Sequence, residues 1–284
     1  MKRTTGIFSA ICAAFLALAM LPARAAIVES VQYPAWLERD GVAAPLVPGT
    51  TLQSKDRLRT GANARAKLKF ADGSSVKLGE NVQFEIETVS EAGFLRASLR
   101  LVGGAFRFAA DKLGAATRRS VNIHARGTSI GIRGTDLWGK SSEERELVCL
   151  IEGVISVGSE GHPTVKLDQP LDFYQLPRGG SPSVAKVDPK QLEQWALETE
   201  PRKDGPVGTV DGAWRVTAAE LGSRDAALEL RRRLRGLGYP AQLSGEKSGP
   251  FAVHVSGLGG EEEARSLMQN LRSVPGVSSP FVGK

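Results

Sequence analysis

Apolar and polar residues alternate over several short stretches in the first two thirds of the chain. From Ala64 to Phe70 every second residue is apolar and the residues between are basic. The alternation recurs with acidic partners from Val82 to Glu87, and again from Leu95 to Val102 before the turn-like pair Gly103–Gly104. A period of two is typical of half-buried strands. Residues 26–176 are therefore predicted to form an all-β domain.

A hairpin is predicted near the end of this region. Two apolar runs, Thr135–Trp138 and Leu147–Val157, flank a polar segment from Gly139 to Glu146 that suits an exposed connection. The second run is apolar on both faces, which predicts a central strand. Gly153 inside it marks a bulge or a close approach of the backbone.

Around this hairpin the sequence resembles the FecR domain family. The family's GT-x-(aromatic) signature matches Gly134–Trp138 and its EG-x-(V/I)-x-V signature matches Glu152–Val157, while Asp56–Gly61 and Asp72–Ser74 match its D-x-L-x-T-G turn and D-G-S hairpin. The resemblance implies a compact, sandwich-like or partly solenoid-like β-structure outside the cytoplasmic membrane. Four residues of these signatures are expected to be structural: Gly134, Thr135, Glu152 and Gly153.

The N-terminus has the features of a secretory signal. Two basic residues precede an apolar run from Ile7 to Leu21, and an A-x-A site ends at Ala25. We expect cleavage between Ala25 and Ala26 and a periplasmic location; an uncleaved anchor is the alternative, although the run is short for a membrane span. No membrane span is expected in the mature chain.

Removal of residues 1–25 also changes the charge balance. These residues contain three basic and no acidic side chains, so their loss lowers the formal net charge from +6 to +3. A strongly basic surface is the main electrostatic requirement of a nucleic-acid-binding protein. Nucleic acid is therefore not predicted as a partner.

Motifs for catalysis or metal binding are weak. Gly127–Gly131 matches the G-x-S-x-G pattern, but no helical period follows Ser129, as a nucleophile elbow requires. The three histidines are dispersed, without metal-ligand spacing. A bend beside Arg133 is expected to aim Arg133 and Asp136 inward or at each other. Cys149, the one cysteine after the signal, is predicted to be a small core residue. No catalytic residue, metal or cofactor is predicted.

Composition shifts to Pro, Gly, Ser and charged residues from 177 to 213, which predicts a linker. It is interrupted by a short predicted helix over residues 188–199, for which Asp188 is a suitable N-cap and Pro189 a suitable first residue. We expect Trp195 on this helix to pack against the β-domain. An exposed, functional tryptophan is the alternative.

The last 71 residues contain an internal repeat at an offset of 37 positions, seen for example in Leu221 and Leu258. Each copy predicts a strand, beginning at Trp214 or Phe251, followed by a helix and a second strand. Two such halves predict a βαββαβ α+β domain over residues 214–284. Its four-stranded antiparallel sheet would carry both helices on one face and leave the other face free.

This region resembles the SPOR domain, a periplasmic module that recognises peptidoglycan glycan strands stripped of stem peptides. Trp214–Leu221 and Phe251–Leu258 keep the family's apolar skeleton, but Thr217 replaces the usual Gln and Ala252 the usual Arg. The resemblance implies glycan binding on the free sheet face. Five residues are candidates for it: Trp214, Arg215, Thr217, Phe251 and His254. Alternatively, the two aromatic residues complete the small core.

Together these features predict a non-enzymatic periplasmic protein that docks to peptidoglycan through its SPOR-like domain, while its FecR-like domain contacts a ligand or an envelope protein. The alternative is an envelope interaction scaffold or sensor whose SPOR-like domain has lost glycan binding. Both readings are of a multidomain binding protein, not of a hydrolase.

Overall fold

The computed structural model describes residues 26–90, 95–110, 119–245 and 249–284. The predicted signal segment, residues 1–25, lies outside the described residues. The strands are β1 Ala26–Gln32, β2 Ala35–Arg39, β3 Val42–Pro45, β4 Thr51–Leu52, β5 Arg57–Thr60, β6 Arg65–Phe70, β7 Ser75–Leu78, β8 Gln83–Ser90, β9 Leu95–Ala109, β10 Arg119–Ala125, β11 Thr128–Ser141, β12 Arg145–Ser159, β13 His162–Leu167, β14 Asp172–Pro177, β15 Ser183–Lys186, β16 Val207–Thr209, β17 Trp214–Leu221, β18 Gln242–Ser244, β19 Phe251–Leu258 and β20 Phe281–Gly283. The helices are α1 Pro189–Ala196, α2 Arg224–Gly236 and α3 Glu261–Leu271.

Strands β1–β15 form the all-β domain that the alternation predicted, and they are arranged as a β-sandwich. In one sheet the order is β1, β6, β7, β9, β11, β12, β14, β15. In the other it is β3, β2, β5, β8, β9, β10, β11, β12, β13. The pairs are antiparallel except β9 with β10, which is parallel. We call this sandwich the β-domain.

Three long strands, β9, β11 and β12, belong to both sheets and bend as they pass from one to the other. Gly104 bends β9 and Gly153 bends β12, with φ angles of 91° and 93°. The register of β11 against β12 shifts between Ile132 and Thr135 and again after Asp136. Such bulges increase local twist and turn a strand at a corner. Gly153 stays in register opposite Thr135, with a register shift on either side of it, so the irregularity predicted there lies next to Gly153.

One apolar core fills the space between the two sheets. The first sheet contributes residues such as Leu68 and Phe108, and the second contributes residues such as Phe84 and Leu99, all with side chains at most 2% exposed. They are inward residues of the alternating stretches, which is why the period of two located them correctly.

Two details of the predicted β-domain were wrong. Gly103–Gly104 does not end a strand, because the chain turns there within β9. The hairpin connection is shorter than Gly139–Glu146, because β11 extends to Ser141 and β12 begins at Arg145. The Ser142 hydroxyl closes the turn: its oxygen accepts hydrogen bonds from the backbone N–H groups of Glu144 and Arg145, at 3.2 and 3.1 Å. Residues 28–46 form β1 to β3, inside the predicted β-domain.

The segment predicted as a linker is more ordered than expected. It adds β15 to the β-domain, and β16 pairs with β1 on one side and with β19 on the other. Helix α1 is shorter than residues 188–199, with Asp188 capping the N–H of Lys190 at 2.8 Å. The predicted domain boundaries at 176, 213 and 214 stay predictions.

Helix α1 lies on the outer face of the first sheet. Trp195 stacks on Trp138 with ring centroids 4.9 Å apart and planes inclined by 12°, and it also contacts Phe173. The expected packing of Trp195 on the β-domain is therefore observed. Cys149 lies in the same apolar cluster and is fully buried, as predicted, and burial raises the pKa of its thiol to about 12.

The C-terminal domain has the predicted βαββαβ architecture. Its sheet order is β18, β19, β17, β20, and all neighbours are antiparallel. The buried residues of α2 and α3 pack with the apolar positions of β17 and β19: Ala227, Leu230, Leu234, Ala264, Leu267 and Leu271. Among the described residues, no helix is both long and apolar enough to cross a membrane.

Candidate functional site

The C-terminal sheet leaves the face opposite its two helices uncovered by either helix. We call it the open face. One row of residues crosses all four strands there: Phe281 lies opposite Thr217, Thr217 opposite His254, and His254 opposite Gln242. Phe281 is 46% exposed, whereas Thr217 is 5% exposed between its neighbours. The row combines an exposed aromatic ring with short polar groups.

Polar and charged residues flank this row on both sides. Arg215 lies opposite Ser256 on one side, and Glu220 lies opposite Ala252 on the other. The side chains of Ser244 and His254 approach to 3.4 Å, from Oγ to Nδ1. Partial burial lowers the pKa of His254 and the nearby Arg215 charge lowers it further, although a backbone hydrogen bond with Ala252 acts in the opposite direction. The lowered pKa favours the neutral imidazole, which can both donate and accept a hydrogen bond.

The structure places Phe251 on the helix side of the sheet, not on the open face. It is 8% exposed, belongs to the apolar core and lies opposite Leu221. Side chains three positions apart on a strand point to opposite faces, so Phe251 and His254 cannot share one face of β19. The proposed role of Phe251 as an open-face ring is corrected.

Trp214 is separated from the open face for the same reason. It lies two positions before the fully buried Val216 and packs partly against the core, with Lys284 Nζ 4.9 Å from its ring centre. Trp214 and Phe251 are also far apart in the sheet. Because β17 and β19 are antiparallel, the first residues of the two strands lie at opposite ends of the ladder.

Phe281 is the open-face aromatic residue that the sequence reasoning missed. It lies on the short last strand, outside the two recognised repeat strands. Its neighbour Val282 packs against the core. Neighbouring residues of a strand point to opposite faces, so a core position for Val282 places Phe281 on the open face, and this was the available signal. Of the five candidates, Arg215, Thr217 and His254 remain on the open face.

A second cluster of predicted residues lies where β11 and β12 bend. The Thr135 hydroxyl donates to the carbonyl oxygen of Glu152, and Thr135 lies opposite Gly153. Gly134 lies in β11.

Asp136 was expected to point inward or at Arg133, whose side chain lies outside the described part of the structure. In the structure Asp136 accepts two hydrogen bonds from Arg107 on β9, at 3.0 and 2.7 Å.

The β-domain and the C-terminal domain are in direct contact. Besides the shared strand β16, the indole N–H of Trp36 donates to the carbonyl oxygen of Gly236 at 3.2 Å. The rings of Tyr33 and Tyr239 lie 6.5 Å apart. The end of helix α2 thus packs against the first strands of the β-domain.

Family models match both parts of the chain. One described as FecR protein matches residues 56–156, and one described as SPOR domain matches residues 210–282. The chain carries a FecR domain followed by a SPOR domain. The FecR match contains the bend of β11 and β12, and the SPOR match contains the whole open face.

Two crystal structures of a protein from Parabacteroides distasonis, described as a candidate anti-sigma factor, are similar to this chain. They are 12% and 11% identical, with TM-scores of 0.42 and 0.43. The alignments cover 68% and 75% of this chain and 95% and 90% of theirs. A comparison with curated proteins finds no match.

The two domains indicate what kind of role the protein has. A SPOR domain implies peptidoglycan binding and a cell-envelope location, and a FecR domain implies a role in envelope signalling. Neither family is catalytic. Among the described residues, no group of three or more His, Cys, Asp or Glu side chains is arranged to hold a metal ion.

Proposed function

We propose that this protein is a non-enzymatic periplasmic binding protein that docks, through the open face, to peptidoglycan glycan strands stripped of stem peptides. The β-domain would then contact a ligand or another envelope protein. The observation that carries the proposal is the exposed ring of Phe281 beside Thr217 and His254 on the open face of a SPOR domain.

The chemistry of this face suits a sugar chain. A pyranose ring has an apolar face, which an aromatic side chain covers, and a rim of hydroxyl groups, which nearby donors and acceptors hold. Phe281 supplies the ring, and Arg215, His254 and Gln242 supply the polar groups around it.

We expect binding to be weaker than in SPOR domains with the usual polar pattern. Thr217 and Ala252 have short side chains where the family usually has Gln and Arg. Each missing long donor removes a hydrogen bond to the glycan hydroxyls, and a hydrogen bond involving a charged group is worth about 1.5 to 3 kcal/mol. Replacing Thr217 by Gln or Ala252 by Arg is therefore expected to raise the affinity for the glycan.

A pull-down with purified sacculi tests this proposal. The mature chain, residues 26–284, is incubated with intact sacculi and with sacculi whose stem peptides an amidase has removed. We expect more protein on the treated sacculi, and severalfold more again for Thr217→Gln and Ala252→Arg. Lys69→Gln, an exposed change on β6, serves as the control. Equal retention on both kinds of sacculi would contradict recognition of stripped strands.

One observation favours the second candidate, an envelope interaction scaffold or sensor without glycan binding. Thr217, at the centre of the open face, is only 5% exposed, so its hydroxyl presents little surface to a ligand. Absence of binding by the parent chain and by both restored variants would support this candidate.

The periplasmic location depends on the processing of the N-terminal segment. We propose that residues 1–25 are removed as a signal peptide, so that the mature chain begins at Ala26, the first residue of β1. N-terminal sequencing of protein from the envelope fraction tests this. Recovery of a chain that begins at Met1 would contradict it.

A further inference from the structure

A cavity of about 580 Å³ lies between the β-domain, the segment after α1 and the segment leading into the SPOR domain. We call it the junction cavity. Strands β1, β6 and β7 form its floor, residues 199–201 form one wall, and residues 207–211 around β16 form the other. Its volume lies within the roughly 300 to 1,000 Å³ that is typical of small-molecule sites.

Arg65 brings an incompletely paired cation to this cavity. It is 7% exposed; its Nη1 donates to the backbone oxygen of Ala64 at 2.7 Å and lies 3.8 Å from a carboxylate oxygen of Glu80. Its Nε–H is buried and has no hydrogen-bond partner within the described residues. A buried charged donor without a partner is costly, so it favours a ligand that accepts a hydrogen bond there.

Glu29 brings an incompletely paired carboxylate to the same cavity. One oxygen accepts from Lys67 Nζ at 2.8 Å, while Oε2 is buried and lacks a partner in the part of the chain that the structure describes. Glu29 is the extra residue of a β-bulge in β1, because Val28 lies opposite Leu68 and Ser30 lies opposite Lys67. Bulges of this kind redirect a side chain and are common beside binding sites.

The remaining charges narrow the class of ligand. Lys77 is paired with Glu200 at 2.6 Å, and Lys67 is already used by Glu29. Asp211, an exposed carboxylate, also lines the cavity. Arg65 and Glu29 supply a buried donor and a buried acceptor of opposite charge that lack partners among the described residues. No aromatic side chain lines the cavity within the described residues, so a sugar ring would find no surface to stack on.

We propose that the junction cavity binds an amino acid or a short peptide with free termini. The ligand's α-carboxylate accepts the Arg65 Nε–H, and its α-ammonium donates to Glu29 Oε2. Both are charge-assisted hydrogen bonds to atoms that are themselves buried, although the Glu29 side chain as a whole is partly exposed. Such bonds are stronger than neutral ones, so binding should depend on both termini. This site is separate from the open face, and the proposal holds whether or not the SPOR domain binds glycan.

Isothermal titration calorimetry of the mature chain tests the proposal, with alanine and the dipeptide alanylalanine as probes. N-acetylated and C-amidated alanylalanine test each terminus, and N-acetylglucosamine tests the sugar alternative. We expect binding of at least one free probe, and a loss of about tenfold or more on blocking either terminus, as for removal of one charge-assisted bond. No heat with either free probe, equal affinity for the blocked dipeptides, or tighter binding of the sugar would overturn the proposal.

Variants of the two residues provide the second arm. Glu29→Gln keeps the shape of a partly exposed side chain and is expected to weaken binding about tenfold or more, whereas Lys69→Gln, exposed on β6 outside the cavity, is expected to leave it unchanged. Arg65→Gln is expected to abolish binding, with circular dichroism to check its fold. If Arg65→Gln fails to fold, Glu29→Gln decides. Unchanged affinity in folded Glu29→Gln would contradict the proposal.

Discussion

The hydroxyl of Thr135 donates a hydrogen bond to the carbonyl oxygen of Glu152 where β11 and β12 both bend from one sheet of the sandwich to the other. At this corner the strands lose their regular ladder, and backbone groups require other partners. Thr135 is 4% exposed, so water has little access to replace it. The two FecR signatures are thus the two sides of one corner.

We expect Thr135→Val to lower the free energy of unfolding by about 1 to 3 kcal/mol, because it keeps the volume but removes the hydroxyl that donates to the Glu152 carbonyl. Urea unfolding followed by circular dichroism measures this. Thr164→Val, at an exposed position of β13, is the matched control. Equal midpoints for the two variants would show that the hydrogen bond is not stabilising.

Gly153 adopts a φ of 93°, a conformation that side chains rarely tolerate. We expect Gly153→Ala to destabilise the protein by about 1 to 3 kcal/mol. Gly131→Ala on β11 is the control, since an added Cβ there meets its nearest atoms at an ordinary 3.7 Å and the φ angle is not left-handed. Thermal unfolding distinguishes them, and similar melting temperatures would contradict strain at Gly153.

Trp195 fixes helix α1 to the β-domain through Trp138 and Phe173. We expect Trp195→Ala to cost about 2 kcal/mol, from lost apolar burial and ring stacking. Leu197→Ala, at a residue 67% exposed, is expected to cost nothing measurable. Urea unfolding compares the variants, and a Trp195→Ala chain as stable as Leu197→Ala would show that α1 is not anchored by this ring.

Glu146 gives stability a dependence on pH. It is almost fully buried, Ser141 Oγ donates to it at 2.9 Å, and burial raises its pKa from 4.5 to about 7. Because the folded state binds this proton more tightly than the unfolded state, stability is expected to fall as pH rises from about 4.5 to 7, by up to about 3 kcal/mol. Glu146→Gln is expected to flatten this slope, and an unchanged slope in urea midpoints would exclude Glu146 as its source.

The alternation of apolar and polar residues predicted much of the fold, because a strand buried on one face requires an apolar residue at every second position. This holds for β6 from Arg65 to Phe70 and for the paired copies beginning at Trp214 and Phe251. The same signal is weak in β1 to β3 and in β16. The parallel pairing of β9 with β10, like the contact of β16 with both domains, depends on tertiary contacts that no local pattern contains.

The candidate site was predicted only in part. The repeat predicted its four-stranded sheet and its free face, but the five candidate residues do not all obey the period of two within each strand. That period separates Trp214 from Thr217 and Phe251 from His254. The junction cavity could not be predicted from the sequence, since Glu29 and Arg65 line one cavity only because β1 pairs with β6.

The most direct test of the account is the affinity of the mature chain for amidase-treated sacculi when one open-face ring is removed. Phe281, 46% exposed on the open face, is compared with Leu237, 44% exposed at the end of α2 on the helix side. We expect Phe281→Ala to weaken binding severalfold and Leu237→Ala to leave it unchanged, because only Phe281 lies on the proposed glycan surface. Equal binding by both variants, or stronger loss in Leu237→Ala, would contradict docking through the open face.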